Sequence, residues 1–122
     1  MLAANYDITI DRAAEYKFVL TIQNQAGAAV NLGSPAATFY ADIRETATKK
    51  EIVSFTAAIL NSGVNGQVSL NLSEANTLDL KPNGSYEYDI FMRRNNITER
   101  LLYGSVTVRA NVTKGSPVDP TP

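Results

Sequence analysis

The stretch Glu15-Tyr16-Lys17-Phe18-Val19-Leu20-Thr21-Ile22 sets Tyr16, Phe18, Leu20 and Ile22 at every second position. A period of two is the period of a β-strand, whose alternate side chains leave opposite faces. One face of this strand is therefore apolar and belongs against a core. The same period precedes it at Tyr6, Ile8 and Ile10. It returns over Ala37 to Glu45, where Ala37, Phe39, Ala41 and Ile43 oppose Thr38, Tyr40, Asp42 and Arg44. Ile52 to Leu60 repeats it with Val53, Phe55, Ala57 and Ile59 inward, and Gln67 to Leu72 with Val68, Leu70 and Leu72. Ser85 to Met92 alternates through Tyr86, Tyr88, Ile90 and Met92. A long last strand, from Ile97 to about Val112, places Leu102, Val106, Val108 and Ala110 on one face.

Turn residues separate most of these strands. Asn24-Gln25-Ala26-Gly27, Gly33-Ser34-Pro35, Asn61-Ser62-Gly63 and Lys81-Pro82-Asn83-Gly84 supply the positive φ or fixed φ that tight turns need. Asn95-Asn96 reads as a hairpin tip. Ser73 reads as an N-cap with Glu74 in the first turn, which predicts one short helical turn near Ser73–Leu78. Leu78 and Leu80 then close the end of the core. Seven short strands with regular turns predict an all-β domain, a seven-stranded antiparallel immunoglobulin-like β-sandwich without disulfide or core Trp. A small barrel of the OB type is the structural alternative. The predicted domain spans residues 1–112, and residues 113–122, with Pro117, Pro120 and Pro122, read as an extended tail.

Composition narrows the function. A chain of 122 residues, 44% apolar and 19% charged, is one domain's worth and large enough to bury a core unaided. The net charge of -1 argues against nucleic acid and against an anionic membrane surface, since both require a basic excess. No apolar run reaches the roughly 20 residues of a membrane helix. The first residues lack the basic start and apolar stretch of a signal peptide. The sequence therefore predicts a protein that begins and stays in a cytoplasm unless it is carried out on a particle.

With no His and no Cys, the commonest general base and the best nucleophile are missing. Glu87 and Asp89 share a strand face and could form a carboxylate pair, but a solvent-facing polar row explains them as well. Asp7, Asp11, Asp42 and Glu45 are the acidic residues that could gather near one end. They form no compact loop of the kind that supplies calcium with six to eight oxygens. No catalytic, cofactor or metal residue is predicted. The candidates that remain are for partner contact. Arg93, Arg94 and Arg100 cluster at one hairpin tip, either as a solvated end or as a contact to an acidic partner. Tyr40 lies on the outward face of its strand and Tyr103 is out of phase with Leu102 and Val106. Both are amphipathic rings aimed away from the core.

The order of these signals resembles a family. It runs from Asn5-Tyr6-Asp7-Ile8-Thr9-Ile10 through "EYKFVLTIQNQAGAAVNL" and "GQVSLNLSEANTLDL" to Gly84-Ser85-Tyr86-Glu87-Tyr88-Asp89-Ile90 and "RLLYGSVTV". This pattern, from about Tyr6 to Val112, resembles small tailed-bacteriophage structural proteins and is similar to the N-terminal domain of phage baseplate upper proteins. The resemblance implies a non-enzymatic virion component of the tail or baseplate, a homo-oligomer whose partners are other virion proteins. A capsid cement protein is the alternative, since no long C-terminal coiled coil follows the domain. A carbohydrate-binding or adhesion module using Tyr40 and Tyr103 is the alternative from a different class.

Overall fold

The computed structural model describes residues 4–82 and 84–110. The expected tail, the end of the last strand beyond Ala110 and Asn83 of the expected turn lie outside them. The seven expected strands form an immunoglobulin-like sandwich of nine strand segments in two sheets. The segments are β1 (Ala4–Asn5), β2 (Ile8–Asp11), β3 (Tyr16–Thr21), β4 (Ala37–Glu45), β5 (Glu51–Ser54), β6 (Thr56–Ile59), β7 (Gln67–Leu72), β8 (Tyr86–Arg94) and β9 (Ile97–Arg109). The larger sheet runs β1-β9-β8-β4-β5, with β2 also on β9; the smaller runs β3-β7-β6.

Two of the expected strands are split, and each split has a cause. The run from Ile52 to Leu60 changes sheets at Phe55. The Phe55 N–H still donates to Ala41 of β4 at 2.9 Å, yet from Thr56 onward the chain pairs with β7. Phe55 is buried and stands edge-on to Phe18 of the small sheet, with ring centroids 6.0 Å apart, and to Tyr88 of the large sheet at 6.2 Å. Tyr16 joins the cluster at 6.5 Å. Edge-to-face aromatic pairs add about 0.5–1.5 kcal/mol each beyond their buried area. Ala57 and Ile59 correct the inward expectation. They stand opposite Leu70 and Val68 on the inner face, but on the outermost strand of the small sheet, where they stay exposed.

The first strand breaks at Tyr6 and Asp7, and both halves pair with β9 in parallel, so the large sheet is mixed. The Tyr6 N–H donates to Tyr103 O at 2.8 Å, the Ser105 N–H donates to Asp7 Oδ1 at 2.9 Å, and the Tyr88 hydroxyl donates to the Tyr6 carbonyl. The first strand crosses so close over Gly104 that a Cβ there would collide with the Tyr6 carbonyl. Tyr6, expected inward with Ile8 and Ile10, is instead 52% exposed.

Elsewhere the alternation is realised as burial. Val68, Leu70, Leu72, Ile43 and Ile90 are fully buried. Ser73 caps the helical turn α1 (Glu74–Thr77): its hydroxyl accepts from the Asn76 N–H at 3.1 Å while Asn76 Oδ1 accepts from the Ser73 N–H at 3.3 Å. Leu80 is fully buried beneath it. The Tyr86 hydroxyl accepts from the Lys81 N–H at 2.8 Å, bracing the corner that leads into β8 as tyrosine corners of such sandwiches do. Gly84 makes room for that ring, since a Cβ would lie 2.6 Å from it. Asn95 and Asn96 both take positive φ at the hairpin tip, as their type allows.

Phe55→Ala is expected to lower stability by about 3–5 kcal/mol in urea denaturation, and Phe55→Leu by clearly less. Gly104→Ala is expected to cost at least about 2 kcal/mol in the same assay, because backbone rather than a flexible side chain must move. An alanine tolerated there at no cost would mean that the first strand is not held over β9.

Candidate partner-binding face

The outer face of the large sheet is assembled by register. Tyr40 stands opposite Phe91, and Phe91 opposite Arg100. One row along, Asp42 faces Asp89 and Asp89 faces Tyr103. Thr38, Arg93 and Thr98 make the row nearest the hairpin tip, where Arg93 donates to Thr98 Oγ1 at 3.0 Å. Arg44 and Glu87 make the row at the far end. Directly opposed residues share a face, so this side of the sheet presents Tyr40, Phe91, Arg93, Arg100 and Tyr103 together.

Arg100 and Tyr103 meet because of a bulge. Three residues apart on a regular strand, they would leave opposite faces. The register of β8 on β9 shifts between Ile90 and Phe91, so that Ile90 pairs with Leu102 while Phe91 pairs with Arg100. The extra residue, Leu101, turns inward and is buried beside half-buried Leu102. Outside, the Arg100 guanidinium comes to lie 4.5 Å from the Tyr103 ring centroid, a cation–π contact.

The charges of this face interlock. Asp42 and Asp89 are directly opposed like charges, an arrangement that destabilises unless countered. Each has its own counter-group. Arg44 lies 3.3 Å from Asp42 and the Ser54 hydroxyl donates to it at 2.7 Å, while Arg100 lies 3.7 Å from Asp89. Lys49 reaches Glu87 at 2.9 Å. Partial burial pushes the Asp89 carboxyl above the usual range; Arg100 pulls it back and the Asp42 charge adds to the rise. A shallow cavity of about 140 Å³ opens among these residues, with Tyr88 and Gly104 at its edge. Beneath the sheet, burial raises the Tyr88 phenol well above its ordinary value.

Four of the five candidate residues, Tyr40, Arg93, Arg100 and Tyr103, therefore share one face. Arg94 does not. The strand alternation turns it to the other side of β8, where its Nε donates to the Asn31 carbonyl at 3.0 Å and ties down the loop before β4. Glu87 and Asp89 lie half-buried on the outer face, opposite the buried Tyr86 and Tyr88, as a polar row. The four acidic residues considered for a metal are engaged separately. Asp7 accepts from Ser105, Asp11 holds Arg109 at 2.6 Å, Asp42 pairs with Arg44, and Glu45 accepts from Thr48 at 3.0 Å. Among the described residues no three His, Cys, Asp or Glu side chains gather to hold a metal ion. Nor is any helix among them long and apolar enough to cross a membrane. Phe91 is the member of the face that sequence reading passed over. Its signal was its phase, since it falls between Ile90 and Met92 in a strand whose even positions point inward.

No family model matches the chain, and no curated protein does. Among solved structures, the chain is similar to one described as the structure of the BTLA ectodomain. Identity is 10%, coverage is 89% of this chain and 95% of that one, and the TM-score is 0.49. It is also similar to tandem Ig repeats of Dlar at 8% identity and TM-score 0.43, over 86% of this chain and 44% of that chain.

The raised Asp89 fixes the sign of a pH effect. Its folded-state pKa lies above the 3.8 of an unperturbed aspartate, so the folded protein holds this proton more tightly than the unfolded chain. The contribution of Asp89 to stability is then greatest at low pH and is lost as pH rises from 3.8 through its folded pKa. An NMR titration of the Asp89 carboxyl is expected to give a midpoint above 3.8, and Asp89→Asn to flatten that segment of the stability–pH curve. A midpoint below 3.8 would mean that Arg100 outweighs burial.

Proposed function

We propose that this chain is a non-enzymatic structural protein of a tailed-phage particle. It serves as a tail or baseplate assembly module, works as a symmetric oligomer, and docks other virion proteins through the outer face of its large sheet. The observation that carries the docking role is the strip Tyr40–Phe91–Arg100 with Tyr103 and Arg93 beside it. Tyr40 is 53% exposed, and aromatic rings and arginines are the residue types that anchor protein interfaces. The particle itself rests on the resemblance of the sequence to phage virion proteins.

The geometry favours a protein over a sugar on this face. A carbohydrate platform built on Tyr40 and Tyr103 needs both rings bare, and one face of the Tyr103 ring is already covered by Arg100. The interlocked carboxylates and cations suit a partner that offers charges in complementary order. A capsid cement role uses the same face and differs in copy number.

Quantitative mass spectrometry of particles of the encoding phage, counted against the major capsid protein, tests the assignment. A small count typical of a tail ring supports the tail or baseplate role, a count near that of the capsid protein moves the protein to cement, and absence from particles rejects both. In the same particles, Tyr40→Ala and Arg100→Ala are each expected to weaken incorporation about tenfold, and Arg94→Ala to leave it unchanged. Incorporation of all three at the wild-type level would remove the outer face from the proposal.

A further inference from the structure

The small sheet ends at β3, whose free edge carries the exposed apolar residue Val19. The phase of its hydrogen bonds follows from β7. The Leu60 N–H donates to Gln67 O at 3.0 Å, so the backbone of Gln67 points toward β6, and with it, by alternation, that of Ser69 and Asn71. Val68, Leu70 and Leu72 therefore bond toward β3, opposite Leu20, Phe18 and Tyr16. The Ile22 N–H, donating to Gly66 O at 2.7 Å, has the same phase. The N–H and C=O groups of Lys17, Val19 and Thr21 consequently point away from the sheet, unclaimed by β7.

Next to this edge the sandwich is open. A groove of about 310 Å³ runs between β3 and the first strand, lined by Ala4, Tyr6, Phe18, Val19, Leu20 and Leu102. A second of about 310 Å³ continues it past Thr21 and Leu101. Val19 is 47% exposed, and Phe18 and Leu20, which face the core, are only half-buried. An added strand would complete the ladder and cover this apolar surface at once.

We propose that the occupant is β3 of a second copy of this chain, paired antiparallel about a two-fold axis at Val19. The sequence is self-complementary in that register. Val19 meets Val19, Lys17 meets Thr21, Phe18 meets Leu20 and Tyr16 meets Ile22. Every apolar side chain is opposed by an apolar one, and the three outward-pointing residues pair with one another to give about six hydrogen bonds. The two copies of Lys17 stand about 14 Å apart along the strands, beyond the screening length at physiological salt. Moving the axis to Lys17 sets the two lysines face to face, and moving it to Thr21 sets Val19 against Gln23, so the Val19 register is the favoured one. The other edge of the same sheet offers less. β6 is four residues long, and only the backbone groups of Ala57 and Ile59 point away from the sheet.

This contact would supply the self-association of the assembly module proposed above, and it rests on that reading only for the need of a second copy. Sedimentation equilibrium of the full chain tests it, with Val19→Glu and Val19→Lys as paired variants at an exposed position. The wild type is expected to sediment at twice the 13.2 kDa chain mass. Each variant alone sets like charges at the axis and is expected to raise the dissociation constant at least about tenfold, with far-ultraviolet circular dichroism unchanged. An equimolar mixture of the two is expected to restore the dimer, which a mere folding defect would not allow. Ile59→Glu is expected to leave the dimer intact. A wild type that stays monomeric up to roughly 500 µM would overturn the proposal, as would a dimer insensitive to both charges or a mixture that does not recover. The two readings fail apart. A dimer of a protein absent from particles rejects the virion role alone, and a monomer that still enters particles rejects the β3 contact alone.

Discussion

The sandwich is held shut at Phe55. The chain passes from one sheet to the other at this residue, and its ring touches aromatic rings of both: Phe18 below, Tyr88 above and Tyr16 beside them. Sandwiches of this architecture in antibodies are pinned by a disulfide packed on Trp. This chain has neither Cys nor Trp, and packed aromatic rings replace the covalent pin. Much else follows from that anchor. Tyr88 is fixed from beneath by Phe55, so its hydroxyl is placed to hold the Tyr6 carbonyl, which keeps the first strand against β9. The outer face of β8 is then aimed by the same residue that the core fixes.

The fold was largely legible in the alternation of the sequence, and the reasons for the exceptions are physical. In β4 and β8 period two maps directly onto burial, because each has a paired strand on both sides and a sheet beneath; in β7 Ser69 is buried too, out of phase with Val68, Leu70 and Leu72. Val53, Phe55, Ala57 and Ile59 keep period two straight through the point where the strand splits. Periodicity reports which face a side chain takes, not which neighbour accepts its backbone, so the change of sheet at Phe55 left no trace in the pattern. The parallel pairing of the first strand was hidden for the same reason. The cap at Ser73 and the hairpin at Asn95-Asn96 were readable because their chemistry is local.

The candidate face was legible in part. Tyr40 and Tyr103 stood out by phase, and the structure brings them onto one side with Arg93 and Arg100. Arg94 was grouped with its neighbours by proximity in sequence, yet adjacent strand residues leave opposite faces, and it went to the other side. The sign of the bulge was the doublet Leu101-Leu102, two apolar residues in succession within an alternating strand. One extra residue turns both leucines inward and changes the phase on the far side, which is what lets an arginine and a tyrosine three positions apart stack.

The parallel pairing of the first and last strands has a mechanical consequence. Ala4 lies level with Leu102 and Asp11 with Arg109, so the chain enters this ladder at one pole and leaves it at the other, about 23 Å further on. Tension applied through the two ends of the domain would act along these strands in opposite senses. It would load the bonds of the β2–β9 ladder side by side, in shear, instead of opening them one after another like a zip. A domain threaded this way resists stretching along its own axis far better than an antiparallel terminal hairpin of equal length.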